Sequence, residues 1–197
     1  MTQSHPLPWR TEEIIEATRG ELLCGDLGRP FSGVSIDSRC ISADDVFVAI
    51  TGDVYDGHAF ASKIVDQGVR GLVISRRKAK QMPISAWKTN DVACIAVENT
   101  TRALGDIAAF NRRRSHASVV AITGSNGKTT TRRMTTAVLD RQYETLTAVG
   151  NFNNDIGLPL TLLGLSTSHQ WAVLELGTNN PGEIARLAEI CSPDIGV

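Results

Sequence analysis

A chain of 197 residues has room for one large domain, or for one domain and part of a second. Its formal charge of −1 and 42% hydrophobic content fit a globular α/β protein and speak against a nucleic-acid binder, which carries a basic excess. No apolar run approaches the ~18 residues of a membrane span, and the opening "MTQSHPLPWR" has no apolar signal core, so a cytoplasmic location is expected.

In chain order, "TEEIIEATRG" predicts a helix capped by Thr11 and stopped by Gly20. Strands follow at "SGVSID", "VFVAI", "GLVIS" and "ACIAVE", where β-branched and apolar residues run between turn formers. A helix over about 57–67 should begin after Asp56, a good cap, and end at Gly68. The stretch "RRKAKQMPISAWKTND" is polar, is broken by Pro83, and reads as a surface connection. Residues 101–114 predict an amphipathic helix with Leu104, Ile107, Ala108 and Phe110 on one side. Its basic end, Arg112-Arg113-Arg114, reads as a solvated helix C-terminus, with a phosphate patch as the alternative. Cys24, Cys40, Cys94 and Cys191 form no C-x-x-C pair and are expected to be small buried or half-buried thiols.

From Ser115 onward strands and helices alternate. "SVVAIT", a loop, a helix to about Arg141, "ETLTAV", "WAVLELG", the helix "GEIARLAEIC" and "DIGV" imply a mostly parallel sheet covered on both faces. "PDIGV" has the pattern of a buried strand's opening. A chain cut inside its second domain is therefore expected, with an open sheet edge that invites self-association.

The loop after "SVVAIT" carries the chemistry. A Walker loop, G-x-x-x-x-G-K-[ST], needs glycine at position 122, where Ile122 stands; here the loop is shortened to Gly124-Ser125-Asn126-Gly127-Lys128-Thr129. Its physical parts remain. Glycines let backbone N–H groups approach an anion, and the following helix adds its positive end. Lys128 is placed for β- and γ-phosphate oxygens, and the Thr129 hydroxyl for Mg²⁺. Glu175 closes "WAVLE" at the carboxyl end of a strand, where ligands of open α/β sheets collect, and a carboxylate there suits Mg²⁺ opposite Thr129. Asn151, Asn153 and Asn154 lie between two glycines and read either as turn residues or as amide partners of a polar ligand.

Taken together, "TGSNGKTTT", "SIDSR", "DDVFVAITG", "DGHAF", "GNFNNDIGLPLTLL" and "LELGTNNPGEI" resemble the Mur ligases of peptidoglycan synthesis, from about Ser32 to Val197. The resemblance implies a small α/β uridine-nucleotide-binding domain over 1–114. A truncated, mostly parallel P-loop ATPase domain would follow over 115–197. It implies an ATP-dependent amide ligase acting through an acyl phosphate, with Lys128 and Glu175 catalytic. Gly124, Ser125, Asn126, Gly127, Lys128, Thr129 and Thr130 would hold ATP phosphates, and Thr129 and Glu175 would ligate Mg²⁺. Ile36, Ser38, Asp53, Val54 and Tyr55 would lie by the uridine diphosphate, and Asn151, Asn153 and Asn154 would border the muramoyl-peptide. The asparagine-rich segment is most similar to the member that joins D-alanyl-D-alanine to UDP-N-acetylmuramoyl-tripeptide. The alternatives are a diamino-acid-adding ligase and a non-catalytic uridine-nucleotide-binding fragment. Asp44-Asp45 stands where the family usually has glycine-aspartate. The family's later histidine, carbamylated lysine and carboxy-terminal domain would fall beyond Val197, so no amide bond formation is expected of this chain alone.

Overall fold

The structure is a computed structural model and describes residues 6–52, 55–148 and 150–197. Its contacts divide the chain into two units, Pro8–Leu104 and a second whose body is Gly105–Val197.

The first unit runs β1 (Trp9–Arg10), α1 (Thr11–Thr18), β2 (Glu21–Cys24), β3 (Pro30–Phe31), β4 (Gly33–Ser35), β5 (Asp45–Val48), a 3₁₀ turn at Gly57–Phe60, α2 (Ala61–Asp66), β6 (Gly71–Ser75), α3 (Arg76–Ala79), α4 (Ile84–Thr89) and β7 (Ala93–Val97). Five strands form one sheet in the order β2-β7-β6-β5-β4. All pairs are parallel except β2 with β7, so an antiparallel strand closes one edge. Phe47, Leu72, Ile74 and Cys94 from the sheet pack with Ile64, Val65 and Trp87 into its core.

Four expectations change here. The cap of α1 is Arg10, whose N–H donates to the Glu13 carboxylate at 2.7 Å; Thr11 is the first helical residue and is buried. The left-handed turn at the other end is taken by Arg19, with φ 53°. Gly20 instead serves close approach, since a Cβ there would lie 2.5 Å from Ile95 Cγ2. The supposed surface connection folds into α3 and α4 and buries Trp87 to 2% exposure, because one large indole outweighs the polar residues around it. Asp56 does cap as expected, accepting from His58 N at 3.1 Å. Cys24, Cys94 and Cys191 are buried, but Cys40 is exposed.

The second unit follows α5 (Thr100–Arg114) with β8 (Ser118–Ile122), α6 (Lys128–Leu139), β9 (Thr145–Thr147), α7 (Gly157–Leu163), β10 (Trp171–Glu175), α8 (Glu183–Cys191) and β11 (Ile195–Gly196). Its sheet has the order β11-β8-β10-β9 and is parallel throughout. β8 and β10 pair from Ser118 with Trp171 to Ile122 with Glu175, so both end at the same height. Val120, Ile122 and Val173 pack on that sheet face with Leu139 of α6. Arg112 is not a solvated helix end. It donates to the carbonyls of Cys191 at 3.1 Å and Ser192 at 3.3 Å, and pairs with Asp194 at 2.9 Å, satisfying the last carbonyls of α8. α7 is an addition to the expected order. Asn154 Oδ1 accepts from Ile156 N and Gly157 N, at 3.2 and 2.8 Å, and Pro159 falls in the first helical turn, where a missing N–H is harmless. Among the described residues no helix is long and apolar enough to cross a membrane.

Candidate functional site

β8 delivers the chain to Thr123, and the loop to α6 turns on two glycines, Gly124 at φ +135° and Gly127 at φ +78°. A Cβ on Gly127 would meet nothing within 4 Å, so the left-handed backbone is what calls for glycine there. Lys128, the first residue of α6, folds its ammonium back to donate to Gly124 O at 2.7 Å. The loop is thus closed by a cation at a helix N-terminus, with Ser125 and Asn126 exposed on it and Thr130 exposed in the first turn of α6.

At the second residue of the helix, Thr129 Oγ1 donates to Glu175 Oε2 at 2.9 Å, and Asn153 Nδ2 donates to Glu175 Oε1 at 2.9 Å. Glu175 is only 4% exposed, and a buried carboxylate needs such partners. The same loop is pinned again by Gly177 N, which donates to Asn153 O at 2.8 Å. Lys128, Asn153, Asn154, Asp155, Thr178 and Asn179 line a cleft of about 420 Å³ beside this cluster. Its wall is set by Glu183, whose carboxylate accepts from Asn180 Nδ2 at 2.8 Å, Asn179 N at 2.7 Å and Asn180 N at 3.2 Å. These bonds, led by the Asn180 amide, hold the Glu183 carboxyl down at about 2.

Thr129 and Glu175 meet as their sequence pattern suggests, Asn153 joins them, and Lys128 lines the adjacent cleft. Asn154 both caps α7 and lines the cleft, whereas Asn151 is exposed and contributes its backbone carbonyl to Asn153 N at 2.9 Å. Sequence reasoning missed Arg132. It is 4% exposed, and its Nε lies 3.8 Å from Glu175 Oε2. The available signal was spacing, since Arg132 stands three residues after Thr129 and shares its helix face. Among the described residues no three His, Cys, Asp or Glu side chains cluster. One hydroxyl and one carboxylate beside a phosphate loop is nevertheless a donor set that fits Mg²⁺, a hard cation held by few protein oxygens together with phosphates and water.

In the first unit, Ile36, Ser38 and Tyr55 line a separate cleft of about 840 Å³ with Asp37, Arg39 and Lys63. Asp53 and Val54 lie outside the described residues. Asp37 accepts from Arg39 N at 3.0 Å, Nε at 2.8 Å and Nη2 at 2.6 Å, which holds its carboxyl well below the usual range. Next to Gly57, which also lines that cleft, His58 is 4% exposed. Its Nε2 accepts from Ser75 N at 2.9 Å, so Nδ1 carries the proton that Asp56 receives at 2.7 Å. Burial alone would raise the Asp56 carboxyl, but Lys78 and His58 outweigh it and hold it well below the carboxylate range. A lowered folded value means that this network stabilises the unit above the unfolded aspartate pKa of ~3.9, and that the contribution drains away as pH falls. Urea midpoints measured against pH should drop more steeply for the parent than for Asp56→Asn below ~4; parallel curves would exclude the network as a source of stability.

The profile of the Mur ligase middle domain matches residues 122–197, and that of the Mur ligase family, catalytic domain, matches residues 30–112. The UDP-N-acetylmuramoyl-tripeptide--D-alanyl-D-alanine ligase of Treponema pallidum (strain Nichols) is 37% identical over 189 residues, covering 94% of this chain and 41% of that protein. The ligase of the same name from Escherichia coli (strain K12) is 37% identical over 182 residues, 92% of this chain and 38% of that one. Among solved structures, a crystal structure of MurF from Acinetobacter baumannii superposes with a TM-score of 0.86 at 34% identity, covering 97% of this chain and 40% of its own. MurF ligase from Thermotoga maritima in complex with ADP gives 0.71 at 30% identity, over 82% of this chain and 36% of its own. The chain thus spans about two fifths of the length of the curated relatives it matches. Two profiles of one family on successive segments, and relatives and structures that agree with both, lead to one conclusion: the chain belongs to the Mur ligase family.

Proposed function

We propose that this chain supplies the acceptor-nucleotide and ATP-phosphate sites of a ligase that joins D-alanyl-D-alanine to UDP-N-acetylmuramoyl-tripeptide. Residues 1–114 would serve the uridine diphosphate and 115–197 the ATP, in the cytoplasm. The observation that carries the reading is the meeting of Thr129 and Lys128, at the turn into α6, with the buried Glu175 at the end of β10.

The chemistry follows from charge. Making an acyl phosphate brings a substrate carboxylate against the γ-phosphate of ATP, and both are anionic. Lys128 is placed to exchange its Gly124 carbonyl partner for phosphate oxygens, and the positive end of α6 would favour the same anion. Bound Mg²⁺ would supply further neutralisation of the phosphates, with Thr129 and Glu175 as its protein ligands. Asn153 holds the Glu175 carboxylate in orientation and, with Asn154, presents the cleft wall to the muramoyl-peptide. In the first unit, Ile36, Ser38 and Tyr55 surround the space proposed for the uridine diphosphate, with Arg39 and Lys63 as its cations.

Titration of the protein with UDP, and separately with ADP and Mg²⁺, tests both halves. UDP should move the amide resonances around Ile36, Ser38 and Tyr55, and ADP those of Gly124–Thr130. UDP shifts confined to residues after Ser115, or ADP shifts that avoid the loop, would refute the assignment.

A further inference from the structure

We propose that Arg132 is the resident counter-cation of Glu175, and that its charge sets how tightly the Thr129–Glu175 pair takes a divalent cation. The inference rests on the reading of Thr129 and Glu175 as the cation ligands.

Arg132 is 4% exposed, as deeply buried as Glu175 itself. Its Nη1 donates to Ala148 O, and its Nη2 to Gly150 O at 3.3 Å. Those two carbonyls use one side of the guanidinium. The other side, Nε, makes no hydrogen bond among the described residues and stands 3.8 Å from Glu175 Oε2. A buried N–H left without a hydrogen bond is costly, and protein structures seldom tolerate one without cause. The cause read here is charge. Thr129 and Asn153 already donate to the two carboxylate oxygens, but both are neutral, so they satisfy the lone pairs and leave the anion uncompensated. Arg132 is the cation whose contact with Glu175 the structure records.

That arrangement has a consequence for ion binding. With the carboxylate already compensated, an arriving divalent ion meets a fixed positive charge a few Å beyond its own ligand. The guanidinium cannot deprotonate to relieve the repulsion. It cannot swing away freely either, since Ala148 and Gly150 hold it. Arg132 therefore keeps the pair a weak site for a bare cation, and the anionic phosphates of a bound nucleotide restore the balance. Arg132 acts through Glu175 and is a positioning residue.

Mn²⁺ is the probe, followed by paramagnetic broadening of the amides of Thr129 and Leu176 and by thermal unfolding with and without the ion. Arg132→Gln retains an amide donor for the carbonyls without the charge, and Arg132→Lys retains the charge. In Arg132→Gln the Mn²⁺ dissociation constant should fall by at least about tenfold, as removal of a unit positive charge ~6 Å from a divalent ion implies even with the screening of bulk water, a dielectric of ~80. In Arg132→Lys it should stay at the parent value. The unfolding temperature of Arg132→Gln should start lower than the parent's and gain more from Mn²⁺. Equal affinities in Arg132→Gln and the parent would reduce Arg132 to a brace for two carbonyls and overturn the proposal. If Arg132→Gln does not fold by itself, recovery of the fold on adding Mn²⁺ supports the proposal, and failure to recover overturns it. Glu175→Gln separates the two layers of argument. Mn²⁺ broadening that survives this substitution defeats the ligand reading and the inference with it. Broadening that is lost there, alongside unchanged affinity in Arg132→Gln, defeats the inference alone.

Discussion

Replacing Lys128 by alanine should lower ATP-dependent product formation by on the order of 10² or more, as expected when one preorganised charge is removed from a phosphoryl-transfer site. The side chain sits at the turn into α6, half-buried, and donates to the Gly124 carbonyl at 2.7 Å, within its own loop. Its loss therefore removes charge from the loop without opening either core. ADP release and ligated product, measured in the complete ligase with both substrates present, give the rate; circular dichroism checks that the fold persists. The substitution should weaken ADP binding in this chain as well, which separates loss of phosphate contact from loss of turnover. Near-parent turnover in a folded variant would show that the loop is not a catalytic phosphate seat.

The second large effect is structural. Trp87→Ala should destabilise the Pro8–Leu104 unit by about 3–5 kcal/mol, the range for truncating a large buried aromatic. Trp87 is 2% exposed and packs with Phe47, Ile64, Leu72 and Cys94. The lost contacts lie on the sheet face that β5, β6 and β7 share, so the cavity has little freedom to collapse. Denaturant unfolding followed by fluorescence of the remaining tryptophans measures it. A change below about 1 kcal/mol would mean that the segment is a surface connection after all.

Trp87 marks the boundary of what the sequence made legible. The phosphate loop was readable because strand, glycines, lysine and helix are contiguous, and contiguity is what a one-dimensional pattern records. Glu175 alone would read as a solvated strand end; it was readable because the glycine-lysine loop upstream gives a carboxylate at that end of a parallel strand something to do. Partnership across the fold is another matter. Arg132 and Arg133 look alike in sequence, yet one is buried beside Glu175 and the other is exposed, because only the first lies on the inward face of α6. The strands β1 and β3 are two residues each, too short for alternation to show. α7 hid behind Pro159, which reads as a breaker except in a first helical turn. Arg112 read as a solvated charge because the carbonyls it caps are nearly eighty positions away in the chain.

The shared ending of β8 and β10 makes the meeting of Glu175 with Thr129 and Asn153 depend on the phase of the sheet. Side chains along a strand point alternately to its two faces, so Trp171, Val173 and Glu175 look toward α6 while Ala172 and Leu174 look away. Deleting a single residue early in β10, with pairing kept from its first position, would carry the glutamate to the opposite face. Leu176 would then stand where Thr129 and Asn153 now find their acceptor. Every strand and helix would survive, and the ladder to β8 would still close. The protein would keep its outline and lose the proposed ion site, much as a message with one letter removed keeps its alphabet and loses its meaning.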